Sequence, residues 1–196
     1  MKLILIKYNA GNIQSVLYAL ERLGVSAEVT DDADKIKAAD KVIFPGVGEA
    51  SSAMRNLQER GLDTVIKSLQ QPVLGICVGM QLLCAHSEEN NIDCLNIIPV
   101  QVKKFKNVAE KLKIPQMGWN TIYNLKTPLF QQVPEGSFIY NVHSFYAEDS
   151  AYTIAHCDYG VTYAAAVQKE NFYGVQFHTE KSATVGEQII KNFLSI

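Results

Sequence analysis

The sequence predicts an α/β fold with a mostly parallel central sheet flanked by helices and an additional antiparallel, strand-rich second half. Three observations carry that expectation. In the first half, short aliphatic runs alternate four times with segments of helical periodicity, the pattern of parallel strands joined by helices packed on the sheet faces. Between Leu95 and Phe177 the composition turns to Val, Ile, Tyr, Phe and Thr, with turns at Lys126-Thr127-Pro128, Pro134-Glu135-Gly136 and Asp158-Tyr159-Gly160, which suits shorter antiparallel strands. At 196 residues, 47% hydrophobic and 19% charged, the chain is long and apolar enough to bury a core without staples.

Taken in order, Lys2–Ile6 is a buried strand beside a Gly/Asn turn. From Asn12 to Leu23, the positions Ile13, Val16, Leu17, Leu20 and Leu23 follow the helical period, and Gly24 sits where a C-cap glycine belongs. Ala27–Thr30 and Lys41–Phe44 are further strands, with a short helix around Lys35–Ala39 between them. Pro45-Gly46-Val47-Gly48 reads as a loop, and helical patterns fill Glu49–Gln70 with a break near Gly61. Val73–Ile76 is a fourth strand, followed by a helix from about Val78 to His86. Ser182 is placed to cap a last helix, Ala183–Leu194, whose Val185, Ile189, Ile190 and Phe193 share a face. With no repeat, linker or low-complexity segment, residues 1–196 are expected to form a single domain.

Composition narrows the function classes. Eighteen Lys and Arg against twenty Asp and Glu leave a net charge of −2, without the basic excess of a nucleic-acid or membrane-surface protein. Lys7 interrupts the first apolar run after four residues, too short for a signal peptide core. The uncharged stretch Ser68–Ser87 is long enough for a membrane helix, but its glutamines, proline and glycines fit a buried strand and helix better. The four cysteines (Cys77, Cys84, Cys94, Cys157) form no C-x-x-C pair, against a zinc ribbon or disulfide scaffold. A soluble, cytoplasmic protein with free thiols is the expectation.

The sharpest local feature is Gly75-Ile76-Cys77-Val78-Gly79, between a strand and a helix. A tight strand-to-helix turn crowds the backbone around its central residue, and flanking glycines relieve it, lifting the Cys77 side chain out of the sheet. Unpaired amides at the start of the helix favour a thiolate there. The competing reading is a buried structural cysteine in a core turn. A thiol nucleophile needs a base, and His178 follows the strand-like Phe172–Phe177 with Glu180 two residues on. In extended chain these two point to one side, so the carboxylate could fix the imidazole while its other nitrogen reaches sulfur. Equally, His178 could be a satisfied strand residue and Glu180 a helix-start acid.

The other histidines divide. His86 ends a helix, where a cation is favoured, and His156 sits in an alternating strand without a visible partner. His143, in Asn141-Val142-His143-Ser144-Phe145-Tyr146, lies in what looks like a pocket wall. Cys84, two turns beyond Cys77, reads as core, and Cys94 and Cys157 carry no motif. In the Pro45–Gly48 loop, glycines on both sides of Val47 let its peptide rotate and present an amide to a developing oxyanion. No G-x-G-x-x-G and no Lys-Ser/Thr follow, so a phosphate loop is a weak rival.

In order along the chain, Pro45-Gly46-Val47-Gly48, Gly75-Ile76-Cys77-Val78-Gly79-Met80-Gln81, Pro115-Gln116-Met117-Gly118-Trp119-Asn120, Val142-His143-Ser144 and Phe177-His178-Thr179-Glu180-Lys181-Ser182 together resemble the class I (triad) glutamine amidotransferases. Within that family the sequence is similar to glutaminase subunits that serve a cyclase barrel in histidine biosynthesis. The likeness runs from the first strand to the last helix.

The resemblance implies a role for each matched residue. Cys77 would attack the side-chain amide of glutamine, His178 would move the proton, and Glu180 would orient the imidazole. Val47, after a peptide flip, and Val78 would supply the oxyanion amides. Gly48, Gln81, Glu89, Ser144 and Phe145 would hold the amino-acid head of glutamine. Asn12, Met117, Trp119 and Lys181 would lie near the interface with a TIM-barrel cyclase partner, to which ammonia passes. No metal or cofactor is implied.

Three departures from the family pattern stand out. Lys7-Tyr8-Asn9-Ala10-Gly11-Asn12 replaces an Asp-led start, Gln116 replaces a common histidine, and Thr179 replaces a proline. Related subunits feed ammonia to barrels that amidate bacterial sugars, and cysteine peptidases or DJ-1-like hydrolases share the elbow. The 101 residues between Cys77 and His178 weigh against those hydrolases, in which the histidine follows more closely.

Overall fold

The computed structural model describes residues 1–9, 12–106 and 112–196. Ala10 and Gly11, within the amino-terminal departure named above, lie outside the described residues, as does 107–111 in the strand-rich half.

Four aliphatic strands form the parallel part of the sheet: β1 (Leu3–Ile6), β2 (Glu28–Thr30), β3 (Lys41–Gly46) and β4 (Val73–Cys77). They run in the order β2-β1-β3-β4, and β1, β3 and β4 are buried along their whole length. That burial explains their unbroken Val/Ile/Leu runs, because helices cover both faces. The connecting helices are α1 (Ile13–Arg22), α2 (Ala33–Lys37), α3 (Ala50–Glu59) and α4 (Leu62–Lys67). Gly24 takes a positive φ of 70° and donates to the Glu21 carbonyl, as a glycine closing a helix should. Asp32 caps α2 by accepting from the Asp34 and Lys35 amides, so this helix starts and ends earlier than its apolar pattern suggests.

Further strands extend the same sheet: β5 (His86–Ser87), β6 (Ile92–Asp93), β7 (Gln101–Lys104), β10 (Phe145–Ala147), β11 (Thr153–Asp158), β12 (Thr162–Lys169) and β13 (Phe172–Val175). Strand β13 pairs parallel to β4, and from β13 to β12, β10 and β7 the pairing is antiparallel. A separate antiparallel hairpin, β8 (Gln116–Ile122) and β9 (Ser137–His143), stands off the main sheet. Helix α6 (Ala183–Ser195) closes the chain and buries Ile189, Ile190 and Phe193.

Three local expectations are corrected. Pro45 and Gly46 belong to β3, since Pro45 pairs with Ile76 and Gly46 with Cys77; only Val47 and Gly48 are loop. The helix after Cys77, α5 (Val78–Leu83), stops before His86 because Cys84 turns extended. The amides of Leu95, Asn96, Ile97 and Ile98 donate to the carbonyls of Leu82, Cys84 and Leu83, capping α5 from a distant segment. His86 is therefore a strand residue, held by Asp93 at 3.0 Å and Asn91 at 3.1 Å. Among the described residues, no helix is long and apolar enough to cross a membrane.

Candidate active site

The site lies at the carboxyl ends of β3, β4 and the segment after β13, where open α/β sheets place their ligands. Cys77 ends β4 with φ 54° and ψ −113°, a conformation costing on the order of 1–3 kcal/mol that a non-glycine residue adopts only when its surroundings impose it. Those surroundings are visible. A Cβ on Gly79 would overlap the Phe44 carbonyl oxygen, and one on Gly75 would lie 2.9 Å from the Gly79 carbonyl. The elbow is thus pressed between β3 and α5, with Cys77 at its apex and 3% exposed.

His178 follows β13 in an extended conformation, and its amide donates to the Tyr140 carbonyl at 3.0 Å. A short 3₁₀ turn, Thr179–Lys181, then folds Glu180 back so that its Oε1 lies 2.7 Å from His178 Nδ1. That leaves Nε2 for sulfur, and His178 and Cys77 line the same cavity. Burial works against a charge on His178. The hydrogen bonds and negative charge of Cys77 and Glu180 outweigh it and raise the pKa to about 10. Sulfur and imidazole thus stand as a coupled pair, and a proton between them belongs to the pair rather than to either group. The other three thiols differ: burial, the largest influence on each, pushes Cys84, Cys94 and Cys157 up. They are buried packing thiols in the surroundings of inert cysteines.

Ser182, expected to cap the last helix, makes no side-chain cap. Its hydroxyl donates to the His178 carbonyl at 2.6 Å and accepts from the Tyr140 amide at 3.0 Å, clamping the histidine turn to β9. His156, without a visible partner in the sequence, pairs with Asp149 at 2.9 Å.

A cavity of about 360 Å³ opens over the sulfur. Its walls include Val47, Gly48, Val78, Gln81, Glu89, Ser144 and Phe145, every residue expected to form the oxyanion hole or to hold substrate. Gln81 donates to the Phe145 carbonyl at 3.0 Å and to Gln176 Oε1 at 2.9 Å, leaving its own oxygen as an acceptor. Glu89 accepts from the Ala50 amide at 2.7 Å, while burial raises its pKa. Val78 opens α5, so its N–H has no intrahelical acceptor. A larger groove of about 560 Å³ bordered by Lys104, Phe105 and Tyr159 is lined by no cysteine, serine or histidine among the described residues.

The residues expected at a partner interface are scattered differently. Lys181 also lines the cavity. Met117 and Trp119 project from β8 and are 65% and 54% exposed, and Asn12 precedes α1 without a side-chain cap bond, α1 packing against the Thr179–Lys181 turn. Two groups escaped the sequence reading. Gln176, whose Nε2 lies 3.8 Å from Cys77 Sγ, was legible in principle, because it stands two residues before His178 and shares its side of the chain. Phe138 on β9, 60% exposed and opposite Thr121, lies on the same face of the hairpin as Met117 and Trp119, extends that apolar face and needed the hairpin register to be seen.

The chain is similar to known proteins over essentially its full length. The family model described as glutamine amidotransferase class-I matches residues 4–196. The imidazole glycerol phosphate synthase subunit HisH of Bacteroides fragilis (strain ATCC 25285) is 57% identical over 196 residues, covering all of both chains. HisH of Bacteroides thetaiotaomicron is 53% identical with the same coverage, and HisH of Idiomarina loihiensis is 46% identical over 197 residues, covering 98% of that protein. A solved glutamine amidotransferase structure superposes with a TM-score of 0.76 at 14% identity, covering all of this chain and 98% of that one. The PurLQS structure from Thermotoga maritima gives 0.71 at 18% identity, with 99% and 97% covered. The solved structures speak for the fold and the sequence relatives for kinship over the full length, so the chain belongs to the class-I glutamine amidotransferase family, among its HisH members.

Proposed function

We propose that this chain is the glutaminase subunit of an imidazole glycerol phosphate synthase, a single catalytic domain that frees ammonia from glutamine for a partner cyclase barrel in histidine biosynthesis. The observation that carries the chemistry is the Cys77–His178–Glu180 constellation at the floor of an amino-acid-sized cavity.

In this reading the Cys77 thiolate attacks the side-chain carboxamide carbon, and the amides of Val78 and Val47 receive the oxyanion, Val47 after its peptide turns inward. The tetrahedral adduct collapses as the His178 imidazolium gives its proton to the departing nitrogen, releasing ammonia and leaving a glutamyl thioester. His178, now neutral, takes a proton from water as that water attacks the thioester, and glutamate departs with the sulfur restored. Glu180 holds the imidazole by Nδ1 throughout. At the other end of the cavity, the free oxygen of Gln81 and the carboxylate of Glu89 suit the α-ammonium of glutamine. The Ser144–Phe145 backbone suits its α-carboxylate. Gly48 leaves room for the substrate at the cavity edge.

Met117, Trp119 and Phe138 form an exposed apolar face on the hairpin whose other strand reaches the His178 turn, and this face is assigned to the barrel partner together with Asn12 and Lys181. Steady-state glutamine hydrolysis with and without the cyclase barrel and its nucleotide substrate tests the reading. Turnover in the complex, its loss in Cys77→Ala, and unchanged barrel binding by that variant are expected. No turnover even in the substrate-bound complex would sink it.

A further inference from the structure

His143 lies in the wall of the cavity, 6% exposed, with a definite hydrogen bond on one nitrogen and a single neighbour on the other. Nδ1 sits 2.8 Å from the Phe145 carbonyl oxygen, which can only accept, so Nδ1 carries hydrogen. Burial holds the pKa of His143 down to about 4, and Nε2 is therefore a bare acceptor at neutral pH. It faces the Tyr163 hydroxyl at 3.4 Å. That hydroxyl also lies 3.0 Å from Gln116 Oε1, and its one proton cannot serve both acceptors. Gln116 Nε2, meanwhile, is buried without a hydrogen-bond partner.

Turning the Gln116 amide over resolves the competition for the Tyr163 proton. Nε2 then donates to the Tyr163 oxygen, and the Tyr163 proton goes to His143 Nε2. The buried NH₂ gains an acceptor. The result is a one-way chain from Gln116 through Tyr163 and His143 to the Phe145 carbonyl.

The far end of that chain is the segment facing the substrate cavity. The Phe145 carbonyl accepts from both His143 and Gln81, and the Ser144 carbonyl accepts from the Phe105 amide at 3.0 Å. Both carbonyls are committed to the protein, while the Ser144 N–H makes no hydrogen bond among the described residues. A peptide edge stripped of acceptors and offering a donor is suited to a carboxylate. We propose that His143 is a positioning residue for the glutamine head group, its tautomer set by Gln116 and Tyr163, so that the Ser144–Phe145 backbone presents donors rather than carbonyls to the α-carboxylate. This rests on the glutaminase reading above.

The test uses the full chain with its cyclase partner. His143→Gln removes the donor at the Nδ1 position, and KM for glutamine should rise about tenfold with kcat changed less than about threefold. His143→Asn keeps a donor near that position and should recover most of the loss. Tyr163→Phe deprives Nε2 of its proton source. The ¹⁵N resonances of His143 should report protonated Nδ1 and bare Nε2 in the wild type and a mixture of tautomers in Tyr163→Phe. If His143→Gln folds poorly, the Tyr163→Phe kinetics and the wild-type tautomer decide the matter. A wild-type KM in His143→Gln or Tyr163→Phe, or an Nε2-protonated imidazole in the wild type, overturns the proposal. A wild-type complex without glutamine turnover would instead overturn the glutaminase reading, and this proposal with it, whatever tautomer the spectra show.

Discussion

Thr179 is one of the departures from the expected pattern, in place of a proline, and the structure says what that proline would do. Thr179 opens the 3₁₀ turn, and its N–H has no hydrogen-bond partner among the described residues, so proline removes no bond. Residues of such turns have φ near −50 to −70°, close to the roughly −65° that proline imposes. The preceding His178 is extended at φ −84° and ψ 101°, in the region a residue before proline prefers. Thr179 is 1% exposed and its hydroxyl is buried without a partner. Replacing that hydroxyl by a methylene of similar size relieves about 1–2 kcal/mol, and restricting the unfolded chain adds roughly 0.4–1 kcal/mol. Thr179→Pro should therefore stabilise the chain by about 2 kcal/mol, raising Tm by roughly 4–8 °C for a protein of this size. Differential scanning calorimetry measures the shift, and urea unfolding with an unchanged m-value would show that the folded state improved rather than the unfolded state compacting. A lower Tm would refute the reasoning, because it would mean that the hydroxyl or the N–H has a structural task.

Glu180→Gln should lower kcat for glutamine by about 10²–10⁴-fold, since a neutral amide neither fixes the tautomer nor balances the imidazolium. The same variant carries a pH test. Glu180 helps to raise the His178 pKa to about 10, so the wild-type alkaline limb should fall near there, and in Glu180→Gln it should move to lower pH. An unmoved limb in the pH–rate profile would assign that proton elsewhere. Gly79→Ala drives a methyl into the Phe44 carbonyl and should leave little folded protein by circular dichroism and thermal melting; a variant as stable as wild type would contradict the packing described here. Tyr8→Phe removes the 2.7 Å hydrogen bond to the Pro45 carbonyl and should cost about 1–2 kcal/mol in urea unfolding, because that buried acceptor is left alone. A stability equal to wild type would mean that the carbonyl finds another donor.

The parallel half of the fold was legible because β1, β3 and β4 are buried on both faces and therefore written as largely aliphatic runs. Gly75-Ile76-Cys77-Val78-Gly79 was legible because its geometry demands small residues around one reactive side chain. What escaped was set by distant partners. The end of α5 depends on the amides of Leu95–Ile98, and no residue near Cys84 announces it. Ser182 has the residue type of a helix cap, but it is drawn instead to the His178 carbonyl and the Tyr140 amide across the β9 contact. Pro45 and Gly46 look like loop residues, yet the pairing of β3 with β4 carries them into the sheet. In each case local preference gave way to a tertiary hydrogen bond whose other end no neighbouring residue reveals.

That dependence on distant partners also explains how the site is held. Cys77 and Val78 come from the aliphatic first half, and His178, Glu180, Ser144 and Phe145 from the strand-rich second half. The two halves meet where β4 pairs with β13, with Gly75 opposite Gly174 and Ile76 opposite Val175. Across that seam α5 lies unusually close to the strands: a Cβ on Gly174 would stand 2.7 Å from Met80 Cγ, and one on Gly46 would stand 2.5 Å from the Gly79 amide nitrogen. A single-residue slip of β13 against β4 would turn Gln176 and His178 to the opposite face, away from the sulfur. The glycines therefore do more than permit the bend at Cys77. By letting α5 seat directly on β3, β4 and β13, they fix the one register in which a thiol from one half and an imidazole from the other line one cavity.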